Sequence, residues 1–167
     1  AGTNSDWETE GNDRANLDLP SNQNELIETI CKLNKNTVVV LNTGSPCEMP
    51  WVEDAKAILQ CWFPGQEFGN SLADILLGKI NPSGKLPTTF PKKLSDTPAY
   101  PTYPGKDMQM DYEEGLFIGY RWYDKESIEP LFPFGHGLSY TTFEYSNLRA
   151  MPPKGNSSVA AFEVDIT

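Results

Sequence analysis

The chain has 167 residues, enough for one domain or for one domain and part of another, and its 38% hydrophobic, 11% aromatic and 22% charged content is that of a folding sequence. The formal net charge of −10, from 23 acidic and 13 basic residues, repels phosphate backbones and anionic lipid, which disfavours nucleic acid and membrane partners. No apolar run approaches the roughly 20 residues needed to cross a bilayer.

The opening AGTNSDWETEGNDR has neither a basic nor an apolar leader segment and reads as a loop. The sequence is therefore expected to be cut from a longer one, with any signal peptide outside it. Leu17-Asp18-Leu19-Pro20 closes an extended piece, and Ser21 with Asn24-Glu25 opens a helix, NELIETICKLN, whose apolar stripe is Leu26, Ile30 and Leu33. The β-branched run Thr37–Asn42 predicts a strand covered on both faces, as in a parallel sheet. A short helix around Trp51–Lys56, a second buried strand over Ala57–Trp62 and a helix over Gln66–Leu77 follow. In that helix Phe68, Leu72, Ile75 and Leu76 fall at helical spacing, and Gly78 ends it. This half reads as α/β.

From Asn81 to Gly105 the chain is rich in proline, which predicts a long loop laid on a scaffold, of the kind that borders sites. Leu116, Tyr120 and Tyr123 fit one helical face, although the aromatic density also suits a strand. Beyond FPFGHGLSYTTF, the segments FEYSNLRA and SVAAFEVDIT alternate like two strands of an antiparallel sandwich. Two strands cannot hide a sandwich core, so they are expected to begin a module that continues elsewhere.

Several fragments imitate catalytic motifs. Gly78 to Leu86 has a P-loop flavour, but it has one residue too many between Gly78 and Gly84-Lys85, Leu86 stands where Ser or Thr is needed, and the segment follows a helix. His136 and Ser139 are close neighbours in a glycine turn with no nucleophile elbow. Cys31, Cys47 and Cys61 cannot all pair with one another and read as small buried hydrophobes. Their spacing and the single histidine match no zinc pattern, so no metal and no cofactor is expected. Asn156-Ser157-Ser158 is a glycosylation sequon that carries meaning in a secreted protein.

The cluster Asp6-Trp7-Glu8-Thr9-Glu10-Gly11-Asn12-Asp13-Arg14 is different, because it joins an aromatic, carboxylates, a glycine and an arginine in a loop before a helix. Sugar sites use this mixture: an aromatic face packs on pyranose C–H groups, a carboxyl protonates the glycosidic oxygen, and a guanidinium holds an acidic neighbour through a bidentate pair. Composition alone favours a solvated acidic loop over a site.

Five segments in order carry a resemblance: TEGNDRANLDLPSNQNELI, NTVVVLNTGSPCEMPW, FPGQEFGNSLADILLGKINPSGKLPTTFP, YEEGLFIGYRWYD and LFPFGHGLSYTTFEYSNL. Together they resemble glycoside hydrolase family 3. The resemblance implies an α/β fold in which residues 1–140 are the C-terminal part of an αβα sandwich, and residues 141–167 the first strands of a fibronectin type III-like β-sandwich. It implies a β-glucosidase releasing terminal non-reducing β-D-glucosyl residues by a retaining two-carboxylate mechanism. The nucleophile would come from a (β/α)8 barrel outside this chain. The alternatives are a β-xylosidase or arabinosidase of the same family and a non-catalytic carbohydrate-binding or scaffold module.

The family's acid/base stretch E-G-x-D-R falls on Glu10-Gly11-Asn12-Asp13-Arg14, which implies Glu10 as acid/base, with Glu8 the alternative, and Trp7 bordering the aglycone. The implied partners are a β-linked oligosaccharide or glycoside, the barrel of the same enzyme and, as a homodimer, a second copy. A secreted enzyme of cellulose and polysaccharide degradation would fit. Gly65, Gly69 and Gly84 are expected at turns or close backbone approaches, Trp51, Trp62 and Trp122 in the core, and Gly135, Gly137 and Tyr140 at a domain junction. Glu113 and Glu114 are expected to be solvated.

Overall fold

The computed structural model describes residues 1–11, 13–152 and 160–167. Its elements are α1 (Gln23–Leu33), β1 (Val38–Leu41), β2 (Ala57–Gln60), α2 (Phe68–Leu76), α3 (Tyr120–Glu126), β3 (Tyr145–Met151) and β4 (Ala161–Ile166), with a short 3-10 turn at Leu94–Asp96. This is a mixed helix and strand fold, as the alternation of periods in the sequence required. β1 and β2 pair in parallel, Val38 opposite Ala57 and Leu41 opposite Gln60. β3 and β4 pair antiparallel, with an irregularity between Ser146 and Arg149. The sequon Asn156–Ser158 lies outside the described residues.

Leu19, Ile27, Cys31, Val39, Leu41, Cys47, Met49, Trp51 and Phe90 form one buried cluster, with Ile58, Trp62, Leu86, Leu131 and Phe132 packed against it. The buried face of α1 is therefore Ile27 and Cys31, and the expected stripe is corrected: Leu26, Ile30 and Leu33 are 54%, 42% and 83% exposed. The helix carries apolar residues over a wide arc, and tertiary packing chose the other half of it. β1 is likewise covered on one face only among the described residues, since Val39 and Leu41 are buried while Val38 is exposed.

Three further expectations change. Trp51–Lys56 forms turns, through Val52 N–H to Met49 O (3.0 Å) and Asp54 N–H to Trp51 O (3.0 Å), because so short a stretch after Pro50 does not propagate a helix. α3 starts at Tyr120, and Leu116 lies in turns outside it; Gly115 and Gly119 have φ of +56° and +55°, which interrupts the helix. Gly69 sits in the first turn of α2, where a Cβ would meet nothing within 4 Å, so it serves no close approach among the described residues.

Gly84 and Gly137 do lie against each other. A Cβ on Gly137 would stand 2.3 Å from Gly84 O. This contact belongs to a side-by-side run of residues 86–90 and 131–136, linked by Leu86 N–H to His136 O (2.8 Å), Gly135 N–H to Leu86 O (2.8 Å) and Phe90 N–H to Phe132 O (2.8 Å). The proline-rich loop is thus anchored on the scaffold, and Tyr140 donates its hydroxyl to Ile75 O at the end of α2 (2.9 Å). His136 stacks on Phe132 and Ser139 Oγ donates to Pro82 O (2.9 Å), so both serve packing. Of the tryptophans, Trp51 is fully in the core, its indole N–H donating to Asn24 Oδ1 (2.9 Å), while Trp62 and Trp122 are half-buried.

Candidate active site

Open α/β sheets present sites at the carboxyl ends of their strands. Here the segment that opens the chain runs beside β1, with Asn42 N–H donating to Ala1 O (2.9 Å) and Thr3 N–H to Asn42 O (3.0 Å). A turn follows, closed by Trp7 N–H (3.0 Å) and Glu8 N–H (2.8 Å) on Asn4 O. That turn folds the acidic loop back over the residues that leave β1, Thr43-Gly44-Ser45. These are fixed in turn: Thr43 is fully buried, its hydroxyl donates to Ser45 O (3.0 Å), and the Gln60 amide donates to Thr43 Oγ1 (3.0 Å).

Glu8 lands in the middle of this junction. Its Oε1 accepts from Arg14 Nη1 (3.0 Å) and the Ser45 hydroxyl, and its Oε2 accepts from the Gly44 amide (2.9 Å) and the Thr3 hydroxyl. The side chains of Arg14 and Glu8 are only 11% and 12% exposed. Burial pushes the Glu8 carboxyl up, but the hydrogen bonds from Ser45, Thr3 and Gly44, together with the Arg14 charge, outweigh it and hold the carboxyl below its ordinary value. Arg14 holds an acidic neighbour as expected, but through one nitrogen rather than a bidentate fork. The same Nη1 also reaches Ser45 Oγ (2.8 Å), and Nη2 donates to Asp18 O (3.0 Å). A Cβ on Gly44 would stand 2.6 Å from the Phe63 ring and 3.3 Å from Glu8 Oε2, so glycine lets both side chains approach the backbone here.

Glu10, two residues on, is exposed and takes no hydrogen bond among the described residues. Gly11 after it has a φ of +79°, which turns the chain. The Asp13 carboxylate beside the Tyr103 hydroxyl raises the Tyr103 pKa. The proline-rich loop therefore does border the acidic loop. Trp7 is half-buried, its indole N–H buried without a partner among the described residues, and Asn12 lies outside them. Glu113 is exposed and Glu114 half-buried. Cys31, Cys47 and Cys61 are free thiols, the first two fully buried, and burial pushes the Cys47 thiol up to about 11.

Sequence reasoning did not anticipate Thr3, Gly44, Ser45 or Tyr103. A signal for two of them was available: small polar residues directly after a buried β-branched run mark the carboxyl end of a sheet strand.

The model of the glycosyl hydrolase family 3 C-terminal domain matches residues 1–140. The chain belongs to glycoside hydrolase family 3. It is 55% identical over 148 residues to the thermostable β-glucosidase B of Acetivibrio thermocellus, which covers 89% of this chain and 20% of that protein. Among solved structures it superposes on a family 3 β-glucosidase of Bifidobacterium adolescentis with a TM-score of 0.88 at 41% identity, covering 99% of this chain and 24% of that one. A β-glucosidase of Streptomyces venezuelae, solved with D-glucose, gives 0.84 at 45% identity over 94% of this chain and 20% of its own. This family 3 chain thus spans about a fifth of the length of the relatives it matches.

The two glutamates of this family 3 chain differ in what they can do chemically. Glu8, with four donors on two oxygens, is held ionised and fixed in orientation. Glu10 is exposed, and no hydrogen bond among the described residues fixes its carboxyl.

Proposed function

We propose that the chain is the acid/base-bearing part of a retaining β-glucosidase that releases terminal non-reducing β-D-glucosyl residues. Glu10 protonates the leaving oxygen and then, as a carboxylate, activates water. An aspartate on a (β/α)8 barrel outside this chain attacks the anomeric carbon. Retention needs the two carboxyl groups roughly 5–5.5 Å apart, so the Glu10 loop must be held against the barrel. In the same reading residues 1–140 belong to an αβα sandwich and residues 141–167 to a fibronectin III-like domain. Trp7 borders the aglycone, and the enzyme is secreted.

One observation carries the choice of Glu10: the alternative, Glu8, has both oxygens occupied by donors and a lowered pKa, which suits a fixed carboxylate better than a proton donor. The β-glucosidase activity is supported by relatives of that name at about half identity along most of the chain. The exposed apolar faces around Val38, Leu26 and Ile30 support a sheet that continues beyond β1.

The test is Glu10→Gln in the complete enzyme, assayed on aryl glucosides of graded leaving-group ability. Poor leaving groups need protonation and activated ones do not, so the former should slow by roughly 10²–10⁴-fold more. Equal losses on both, or no loss, would remove Glu10 from the role. A glucoside compared with the matching xyloside and arabinoside separates β-glucosidase from its sister activities.

A further inference from the structure

We infer that Glu8 is the positioning residue of this site: a buried carboxylate that ties the Glu10 loop to the carboxyl end of β1 and so sets where the Glu10 carboxyl stands. The inference rests on the reading of Glu10 as acid/base.

The donors that meet on Glu8 come from three separate parts of the chain. Thr3 belongs to the run beside β1, Gly44 and Ser45 to the turn leaving β1, and Arg14 to the far end of the acidic motif. Arg14 passes the tie on, through Ser45 Oγ to the turn leaving β1 and through Asp18 O to the segment that follows the loop. Glu10 stands between Glu8 and Arg14 in sequence, so both ends of its short segment are pinned by one ion pair while its own carboxyl stays free.

An anion is required at the centre of this arrangement. The hydroxyls of Thr3 and Ser45 can turn to donate or accept, but the Gly44 N–H and the Arg14 N–H groups can only donate. They fall on different oxygens of Glu8. A glutamine there has one oxygen and one NH2, so in either orientation it sets a donor against a donor. The shape of Glu8→Gln is nearly unchanged, yet one of the two ties must break and the loop must shift. A misplacement of about 1 Å in a catalytic group costs on the order of 10²-fold in rate.

A positioning residue acts only through the group it positions, and this distinguishes it from an independent contributor. The experiment compares Glu8→Gln, Glu10→Gln and the double variant in the complete enzyme, on a poor and an activated aryl glucoside. Glu8→Gln is expected to lose on the order of 10²-fold on the poor substrate and much less on the activated one. The double variant is expected to match Glu10→Gln alone. Multiplied losses in the double variant, or a Glu8→Gln enzyme with native activity, would overturn the inference while leaving Glu10 in its role. Full loss in Glu8→Gln with Glu10→Gln near native would instead sink the reading of Glu10.

Should Glu8→Gln fail to fold, Thr3→Val removes one donor to Glu8, and Ser45→Ala removes another together with an acceptor of Arg14. Each is expected to slow the native enzyme several-fold on the poor substrate and to leave the Glu10→Gln enzyme unchanged. Equal slowing in both backgrounds would overturn the inference.

Discussion

The Glu8 carboxylate is charged and hydrogen-bonded in the fold, whereas in an unfolded chain it titrates near 4.5. Because its folded pKa lies lower, the fold gains stability from it above the unfolded value and loses that gain as pH falls through the folded one. Glu8→Gln should therefore lower stability at pH 7, and the gap to the native protein should narrow once pH drops below about 4.5. Chemical denaturation at a series of pH values reads this directly. A gap of the same size at every pH would mean that the charge of Glu8 contributes nothing. A motif can single out Glu10 in the sequence, but the contacts of Glu8 were not legible there: its four donors come from positions 3, 14, 44 and 45, whose convergence only the fold creates.

At the scale of elements, the two glycines of similar appearance, Gly69 and Gly137, behave oppositely. Gly69 sits in α2 with open space around its missing Cβ, so Gly69→Ala should stabilise by up to about 1 kcal/mol through the lost freedom of the unfolded chain. Gly137→Ala drives a methyl to 2.3 Å from Gly84 O and should destabilise by about 1–3 kcal/mol, with the run of residues 86–90 and 131–136 weakened. Thermal melts of both variants check this pair, and a destabilising Gly69→Ala would mean that α2 is packed against something at that point. Helix α1 offers a second contrast. Ile27→Ala removes a buried side chain and should cost about 2–5 kcal/mol, whereas Leu33→Ala, at 83% exposure, should change stability by less than about 0.5 kcal/mol.

The elements themselves were readable where a single periodicity dominated. β1 and β2 are the two β-branched or apolar runs, and α2 lies inside its expected span. β3 and β4 fall on the two alternating segments. What was not readable was the choice of face. Leu26, Ile30 and Leu33 make as good a stripe as Ile27 and Cys31, and only the position of β1 and Trp51 settles which is buried. Nor could spacing alone foresee that two positive-φ glycines would delay α3 to Tyr120.

For the molecule as a whole, the proposed chemistry needs two carboxyl groups, and this chain offers one free candidate in the acidic loop together with one that is bound up. Purified 167-residue material should therefore show no turnover of aryl β-glucosides, and measurable turnover would remove the need for a barrel. Within the proposed chemistry Glu10 is the general acid and base. Azide is an anionic nucleophile that needs no base, so it can resolve a glycosyl-enzyme that has lost Glu10's help with water. The direct measurement is the product formed by the complete Glu10→Gln enzyme from an activated aryl β-glucoside with azide present. The expected result is restored turnover with β-glucosyl azide as product; no acceleration by azide, or the same rescue in Glu8→Gln and not in Glu10→Gln, would contradict the account.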